Sequence, residues 1–346
     1  MKVGDIYVAG IATANPDYLT VEEAVRRGWC DAADAHRTGL ASISYAGETA
    51  APDLAVEAAL TALAESGVPS GRIAATLHTN VHPQGPDGWS APHYINHRTI
   101  NQPIMSAEVR NGCIGFLSAL DLGACLLRSV SGRDAVLVTC ADNFGTAAVD
   151  RWRSSKLFVL GDGGGAAVLS KAGGFARVLA VGSGSDPAME VRHRGAEQLF
   201  PPGLTAGGTL NFQARTDYVQ LAQRTGVLPA LGDFCTVLVD TVEQTLDEAG
   251  VKLADITRVV HDGFNREPLQ DIFLDPLGID PEVGIWEFTR TVGHAGPLDQ
   301  LRGLEYLRRT GAVGPGDKVL MFSDAPGMEA ACAVLEIVEP LAPISS

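Results

Sequence analysis

Two stretches of this chain repeat each other at a nearly fixed distance, and that repeat constrains the fold more than any other feature. Residues 57–78 read as an amphipathic helix, a Glu65-Ser66-Gly67-Val68 break, and a strand through Ile73 to Leu77-His78. Residues 242–261 read the same way, with Glu248-Ala249-Gly250-Val251, then Ile256, then Val260-His261. A second pair follows: Gly112-Cys113-Ile114-Gly115-Phe116-Leu117 and Gly293-His294-Ala295-Gly296-Pro297-Leu298 each open an apolar stretch. Each of these leads to a buried-looking strand, at Asp134–Val138 and Asp317–Met321. An offset of 181 to 183 residues throughout indicates two copies of one unit. Short apolar strands alternating with helices predict mostly parallel sheets covered by helices, the α/β class. The joint is expected near Gly173-Gly174, giving one half at 1–173 and another at 174–346.

The repeat also says where chemistry gathers. In parallel α/β sheets, sites form where strands end and helices begin. Pseudo-symmetry brings the equivalent positions of both halves to one centre. Cys113 and His294 are equivalent helix starts, and His78 and His261 are equivalent strand ends.

Composition excludes several classes. A net charge of −15 argues against a general nucleic-acid binder. No apolar run is read as a membrane span. The start, Met1–Asp5, leads into a strand-like run without a signal-peptide pattern, so a cytoplasmic protein is expected. Six cysteines form no CxxC pair, which suggests neither zinc site nor disulfide framework.

Cys113 sits at a tight turn into a helix. There the unpaired N–H groups and positive dipole end favour thiolate. The same N–H groups can hold a thioester oxyanion. His261 follows the strand Arg258–Val260 and opens His261-Asp262-Gly263-Phe264-Asn265, where an imidazole can donate to a carbonyl or take a proton. His294 is a second imidazole for the same site, and which of the two is the base stays open. Asp324, in Phe322-Ser323-Asp324-Ala325-Pro326-Gly327, can orient a histidine or simply form a turn. Asp299 ranks below it, because five residues along a helix from His294 is a different face. His78, His82, His93 and His97 cluster in sequence without the spacing of a helical metal motif, and no metal site is expected. The run Gly161–Gly165 lacks the Lys-Ser/Thr ending of a phosphate loop.

These residues resemble a known family, the type III ketoacyl synthases of the thiolase superfamily, over essentially the whole chain. Gly112-Cys113-Ile114-Gly115-Phe116 is similar to their nucleophile elbow. Gly161-Asp162-Gly163-Gly164-Gly165-Ala166 is similar to their glycine run, and Thr38-Gly39-Leu40 and Asp53–Ala59 resemble their N-terminal segments. The resemblance implies a thiolase-like fold of two pseudo-symmetric halves in αβαβα layers. It also implies a homodimer, with acyl-CoA or acyl carrier protein as donor and no tightly bound cofactor. By position, Arg37, Arg151 and Arg153 are candidates for coenzyme A phosphate contacts.

The departures from the family carry information. Condensing members have His-Gln-Ala-Asn where this chain has His261-Asp262-Gly263-Phe264-Asn265, and Gly-Asn-Thr-Ser where it has Gly293-His294-Ala295-Gly296. Their histidine and asparagine hold a malonyl carbonyl while carbon dioxide leaves. Exchanging the neutral amide for His294 offers a base suited to an incoming hydroxyl or amine. This resembles the divergent branch that moves acyl groups onto oxygen in antibiotic biosynthesis. The expected function is therefore cysteine-dependent transfer of an acyl group to a small-molecule acceptor in polyketide or related secondary metabolism. A decarboxylative condensing enzyme and a non-catalytic partner subunit are the alternatives.

Overall fold

The computed structural model describes residues 1–203 and 206–338. Residues 339–346, the end of the second expected half, lie outside the described residues. Nine strands form one sheet: β1 (Lys2–Ala14), β4 (Ile73–Thr79), β5 (Met105–Val109), β6 (Ala135–Asp142), β7 (Gly163–Ser170), β8 (Ala176–Ser185), β9 (Arg258–Val260), β10 (Lys318–Ala325) and β11 (Glu329–Ile337). β2 (Asp17–Thr20) and β3 (Ser42–Tyr45) form a separate two-stranded sheet. Six helices matter for the site: α1 (Ala51–Ser66), α2 (Gly115–Ser129), α3 (Phe212–Arg224), α4 (Phe234–Ala249), α5 (Trp286–Val292) and α6 (Leu298–Arg309).

The strand order is β5-β4-β6-β7-β1-β8-β11-β10-β9. Read outward from the β1–β8 junction, β1-β7-β6-β4 and β8-β11-β10-β9 are the same arrangement twice. β1 and β8 pair antiparallel where the two copies meet. The expectation of mostly parallel strands is corrected here. Only β4/β5, β4/β6 and β9/β10 are parallel, while β6/β7, β7/β1, β1/β8, β8/β11 and β10/β11 are antiparallel. Each copy contains a helical crossover, from β4 to β6 through α2 and from β9 to β10 through α6, which demands parallel pairing. It then returns without a crossover helix, by the long loop 143–162 from β6 to β7 and the short turn 326–328 from β10 to β11, and these pairs are antiparallel.

The layers follow from which helix touches which strands. α2 and α6 contact each other and strands of both halves, so the sheet wraps around them. α1 packs on β1, β6 and β7 from outside, and α4 on β8 and β11. This is the expected αβαβα stack. Its central layer joins Phe116 and Leu120 of α2 to Leu301 and Leu304 of α6, with Val138 and Met321 from the flanking strands. Gly112–Ser129 is long and apolar enough to span a membrane by composition, contrary to the reading that no run qualifies. Its apolar face is instead part of this core.

The repeated Gly-Val breaks have a local cause. α1 and α4 both end in a left-handed glycine, Gly67 (φ +61) and Gly250 (φ +70), which only a residue without Cβ adopts readily. Each is followed by one turn of 3₁₀ helix and a buried isoleucine that starts or leads to the next strand.

The glycine run at 161–165 is a packing device. A Cβ on Gly163 would strike the Arg302 guanidinium, and one on Gly164 would lie 2.5 Å from the Leu54 carbonyl carbon. Within the same run Asp162 ties distant segments together. Its carboxylate accepts from Ala46 N (2.9 Å), Phe144 N (2.9 Å) and both Arg151 terminal nitrogens (3.1 and 3.2 Å). Because α1 backbone cannot yield as a side chain would, Gly164→Ala is expected to destabilise the protein by about 2–3 kcal/mol. A urea midpoint equal to wild type would overturn that account.

Candidate active site

The elbow that presents Cys113 is fixed by two glycines. Gly112 has φ +54, and a Cβ there would sit 2.7 Å from Pro326 Cδ and 3.1 Å from Ala325 Cβ. Gly115 lets α2 approach the end of β4 and the next turn, since its Cβ would be 3.0 Å from Thr79 Cβ and 3.1 Å from Pro297 Cβ. Cys113 lies in the 3₁₀ turn Gly112–Ile114 at the head of α2, partly exposed to a cavity. Asn111 braces the turn by donating to Ser118 Oγ (3.0 Å) and Glu329 Oε2 (3.2 Å).

Opposite stands His294, where the repeat predicts it. Its Nε2 is 3.0 Å from Cys113 Sγ. Its Nδ1 is 2.7 Å from Asp299 Oδ2. The backbone is held as firmly as the ring: His294 N donates to Val159 O (2.9 Å), and Gly161 N donates to His294 O (2.8 Å). Phe158 and Phe264 flank the imidazole, with ring centres 4.7 and 5.4 Å away.

Asp299 therefore takes the orienting role for which Asp324 was the preferred residue. Asp299 Oδ1 also accepts from Ala295 N (2.9 Å), and Oδ2 from Gly263 N (2.7 Å). The ranking failed because residues 293–297 are not helical. Gly293 (φ +69) and Gly296 (φ +59) bend the chain, and α6 begins only at Leu298. The His294 ring thus lies over the helix's first turn, within reach of Asp299. An acidic residue in a first helical turn is a signal the sequence did contain.

Asp324, at the end of β10, lines the same cavity as Cys113 and His294 without orienting the imidazole. His261 is not brought to the site. It is fully buried beneath α5, with Nδ1 2.9 Å from Asp262 O and Nε2 accepting from Ile285 N (3.2 Å). Its repeat mate His78 is buried in the same manner, bonded to Thr139 Oγ1 (2.9 Å) and Gln84 Oε1 (3.2 Å). His82, His93 and His97 each have separate partners in Thr146, Ser90 and Asn101. Asp262, His294 and Asp299 do bring ligand-type atoms within 4.8 Å of one another. Each is already engaged in hydrogen bonds, with Asp262 accepting from Gln300 Nε2 (2.9 Å) and Ser323 Oγ (2.7 Å).

Burial and charge set the protonation states. Burial works against the imidazolium of His294, but the Cys113 sulfur and the Asp299 carboxylate outweigh it and hold the group well above 6.5. Burial pushes the Cys113 thiol up, and His294 pulls it back. Asp299 is held low, because His294, Arg302 and the Gly263 N–H overcome its burial. Burial raises Asp262 to about 8 and Asp324 to about 6, and lowers His261 to about 4. A carboxylate, an imidazole of raised basicity and a thiol in line form a relay able to take the thiol's proton.

The three arginines diverge. Arg151 and Arg153 line a second hollow of about 690 Å³ with Trp29, Tyr45 and Trp152. Arg151 is spent on Asp162, while Arg153 is exposed beside Asp150. Arg37 is exposed, pairs with Asp34, and does not line that hollow.

Comparison with known proteins shows the family to which this fold belongs. Residues 107–187 match the family described as 3-oxoacyl-[acyl-carrier-protein] synthase III, and residues 246–337 match its C-terminal part. The solved structure of ChlB3, described as an acyltransferase, is 37% identical, covers 97% of this chain and 99% of its own, and superposes with a TM-score of 0.92. The chain belongs to the ketoacyl synthase III-like family of the thiolase superfamily. A β-ketoacyl-[acyl-carrier-protein] synthase III of Streptomyces lividans is 26% identical, and the match covers 67% of this chain but slightly less than two thirds, 65%, of that relative. The synthase III structure from Aquifex aeolicus VF5 shares the fold at 21% identity, with a TM-score of 0.76 over 96% of this chain and 99% of its own. The chain is thus an acyl-transferring enzyme of ketoacyl synthase III type.

His294→Ala removes the influences that lower the Cys113 thiol and leaves burial unopposed. The pH midpoint of Cys113 alkylation by iodoacetamide is therefore expected to rise from its wild-type position. An unchanged pH–rate profile would disprove the coupling. The stability His294 contributes has the opposite trend: with its folded value above 6.5, that contribution is complete below pH 6.5 and is lost as pH rises through the folded value.

Proposed function

We propose that Cys113 carries an acyl group as a thioester, taken from coenzyme A or an acyl carrier protein, and passes it to a hydroxyl or amine of a small-molecule acceptor. The observation that carries this reading is the relay from Cys113 through His294 to Asp299. His294 takes the thiol proton as sulfur attacks the donor carbonyl, and returns it to the departing thiol. In the second half it takes the acceptor's proton and gives it to the Cys113 sulfur. Asp299 keeps Nδ1 protonated and Nε2 facing the sulfur, and stabilises the imidazolium in both halves. The N–H of Cys113 and that of the loop after β10 are the oxyanion donors of this scheme. Losing one such donor typically raises a barrier by about 3–4 kcal/mol.

The donor is assigned to the hollow beside Trp29, with Arg153 toward its phosphates. Arg151, already saturated, and Arg37, outside the hollow, are not part of that assignment. Among the described residues β5 pairs only with β4 and ends the sheet, with Met105 52% exposed. An open edge of this kind supports a homodimer joined strand to strand. We further take residues 1–173 and 174–346 as the duplicated halves, the protein as cytoplasmic, and its setting as antibiotic or polyketide biosynthesis. The withdrawal of His261 favours transfer over decarboxylative condensation, because the histidine that would hold a malonyl carbonyl is bonded to backbone.

Intact mass after incubation with acyl thioesters tests the proposal. Wild type is expected to gain one acyl group and Cys113→Ala none, with malonyl retained whole. Asp299→Asn is expected to slow loading on the order of 10³-fold or more, by letting the imidazole settle in the wrong tautomer. Loading of Cys113→Ala at the wild-type rate, or no loading from either coenzyme A or carrier protein, would sink the thioester scheme. Loss of carbon dioxide from malonyl with carbon–carbon bond formation would replace it by condensation.

A further inference from the structure

The cavity that opens onto Cys113 has a feature that the relay does not use. It holds about 370 Å³ and is walled by Phe158, Phe212, Phe234, Phe264 and Phe273. A surface this aromatic suits the apolar body of an acyl group. One wall is different. The short helix Val191–Arg194 packs against α3 and sets Arg192 and His193 into the cavity lining.

Each side chain has one unsatisfied atom. Arg192 Nε and His193 Nδ1 are buried and have no hydrogen-bond partner among the described residues. Buried polar atoms in native proteins are nearly always paired, so these two atoms mark a stretch of wall whose polar groups the protein does not itself satisfy. Neighbouring arginines are neutralised: Arg194 by Glu190 (2.7 Å) and Arg215 by Glu197 (2.6 Å). Arg192 has no such carboxylate among the described residues, and its terminal nitrogen makes only a long 3.4 Å contact with Gly232 O. Asp324, the carboxylate of the same cavity, feels the charge of His294, whereas Arg192 and Arg215 act on His193. The cavity therefore has two polar poles. Burial, with help from those two cations, lowers His193 to about 4, so its imidazole is neutral and can present an N–H.

A guanidinium and an imidazole lining one cavity are the donors that suit a carboxylate. We propose that Arg192 and His193 bind a carboxylate at the far end of the acyl group carried by Cys113. The enzyme would then select a short carboxyacyl unit over an alkyl unit of the same shape. The inference rests on the thioester reading above and names the class of its acyl substrate. Arg192 is here a specificity-determining residue that takes no part in the chemistry at Cys113.

Isosteric pairs of coenzyme A thioesters test it, because a carboxylate and an isopropyl group have the same outline. The pairs are malonyl and 3-methylbutanoyl, succinyl and 4-methylpentanoyl, and glutaryl and 5-methylhexanoyl. The readout is the kcat/KM of Cys113 loading by intact mass. Wild type is expected to favour the carboxyacyl member of at least one pair by about tenfold or more. Arg192→Leu is expected to lose about 10- to 100-fold on that member while loading its alkyl partner as before, which also reports that the variant is folded. Arg192→Lys keeps the charge and should recover part of the preference. No preference in any pair, or a preference that survives in Arg192→Leu, overturns the proposal and leaves the thioester reading standing. Failure of every donor to acylate wild-type Cys113, presented on coenzyme A and on acyl carrier protein alike, overturns both.

Discussion

The bridge between Leu160 and His294 is the contact on which the site depends. Two backbone hydrogen bonds dock the turn at 293–297 of the second half onto residues 159–161 of the first. Gly161 permits it, since a Cβ there would collide with Val292 O, and Gly263 permits the approach from the other side, against Gly293 O. The segment being docked against is itself anchored by Asp162, whose carboxylate and carbonyl hold Ala46, Phe144, Arg151, Ser44 and Arg302. A reactive pair separated by 181 residues thus meets through backbone geometry, before any side chain is considered. Rigid placement of this kind limits the reorganisation that proton transfer would otherwise require.

Much of this arrangement was legible in the sequence because the duplication writes it twice. The offset between Gly112-Cys113 and Gly293-His294 placed thiol and imidazole together. The Gly-Val breaks marked helix ends that the structure closes with left-handed glycines. Periodicity, however, assumes ideal helices. Asp299 was ranked low because five positions on a helix are not neighbours, yet Gly293 and Gly296 keep His294 out of the helix altogether. His261 misled for a different reason. A histidine just past an apolar strand can face a cleft or turn under the next element, and residue type does not distinguish the two. Here Gly284, whose Cβ would be 3.1 Å from His261 Nε2, makes room for the ring beneath α5. The orphaned Arg192–His193 pair left no pattern at all, since it lies in a segment outside the repeat.

Electrostatics explain why one carboxylate serves and two stand back. Asp262, Asp299 and Asp324 all lie near a single imidazole. Three anions cannot share one cation at low dielectric cost. Asp299 receives the Gly263 and Ala295 N–H donors together with His294, so its ionised form is the best solvated. Asp262 has only the Gln300 amide and Ser323 hydroxyl, and burial holds it near 8, so at neutral pH it is largely the protonated acid. Asp324 is at about 6, ionised at neutral pH with little margin. The imidazolium is consequently matched to one committed counter-ion and keeps a defined orientation.

That assignment bears on why an imidazole at 294 changes the reaction open to the fold. A neutral amide steadies a developing enolate because it can donate without taking a proton. An imidazole with its Nδ1 fixed by a carboxylate does the reverse, since its free nitrogen is made more basic and points at sulfur. An enolate formed beside such a group competes with it for protons, whereas an alcohol or amine approaching a thioester needs that base. On the proposed reading, the same substitution weakens the family's condensing chemistry and supplies what transfer to oxygen or nitrogen needs. The Asp299 hydrogen bond is what makes the exchange consequential: without it, residue 294 would be one more buried histidine, as His78 and His261 are.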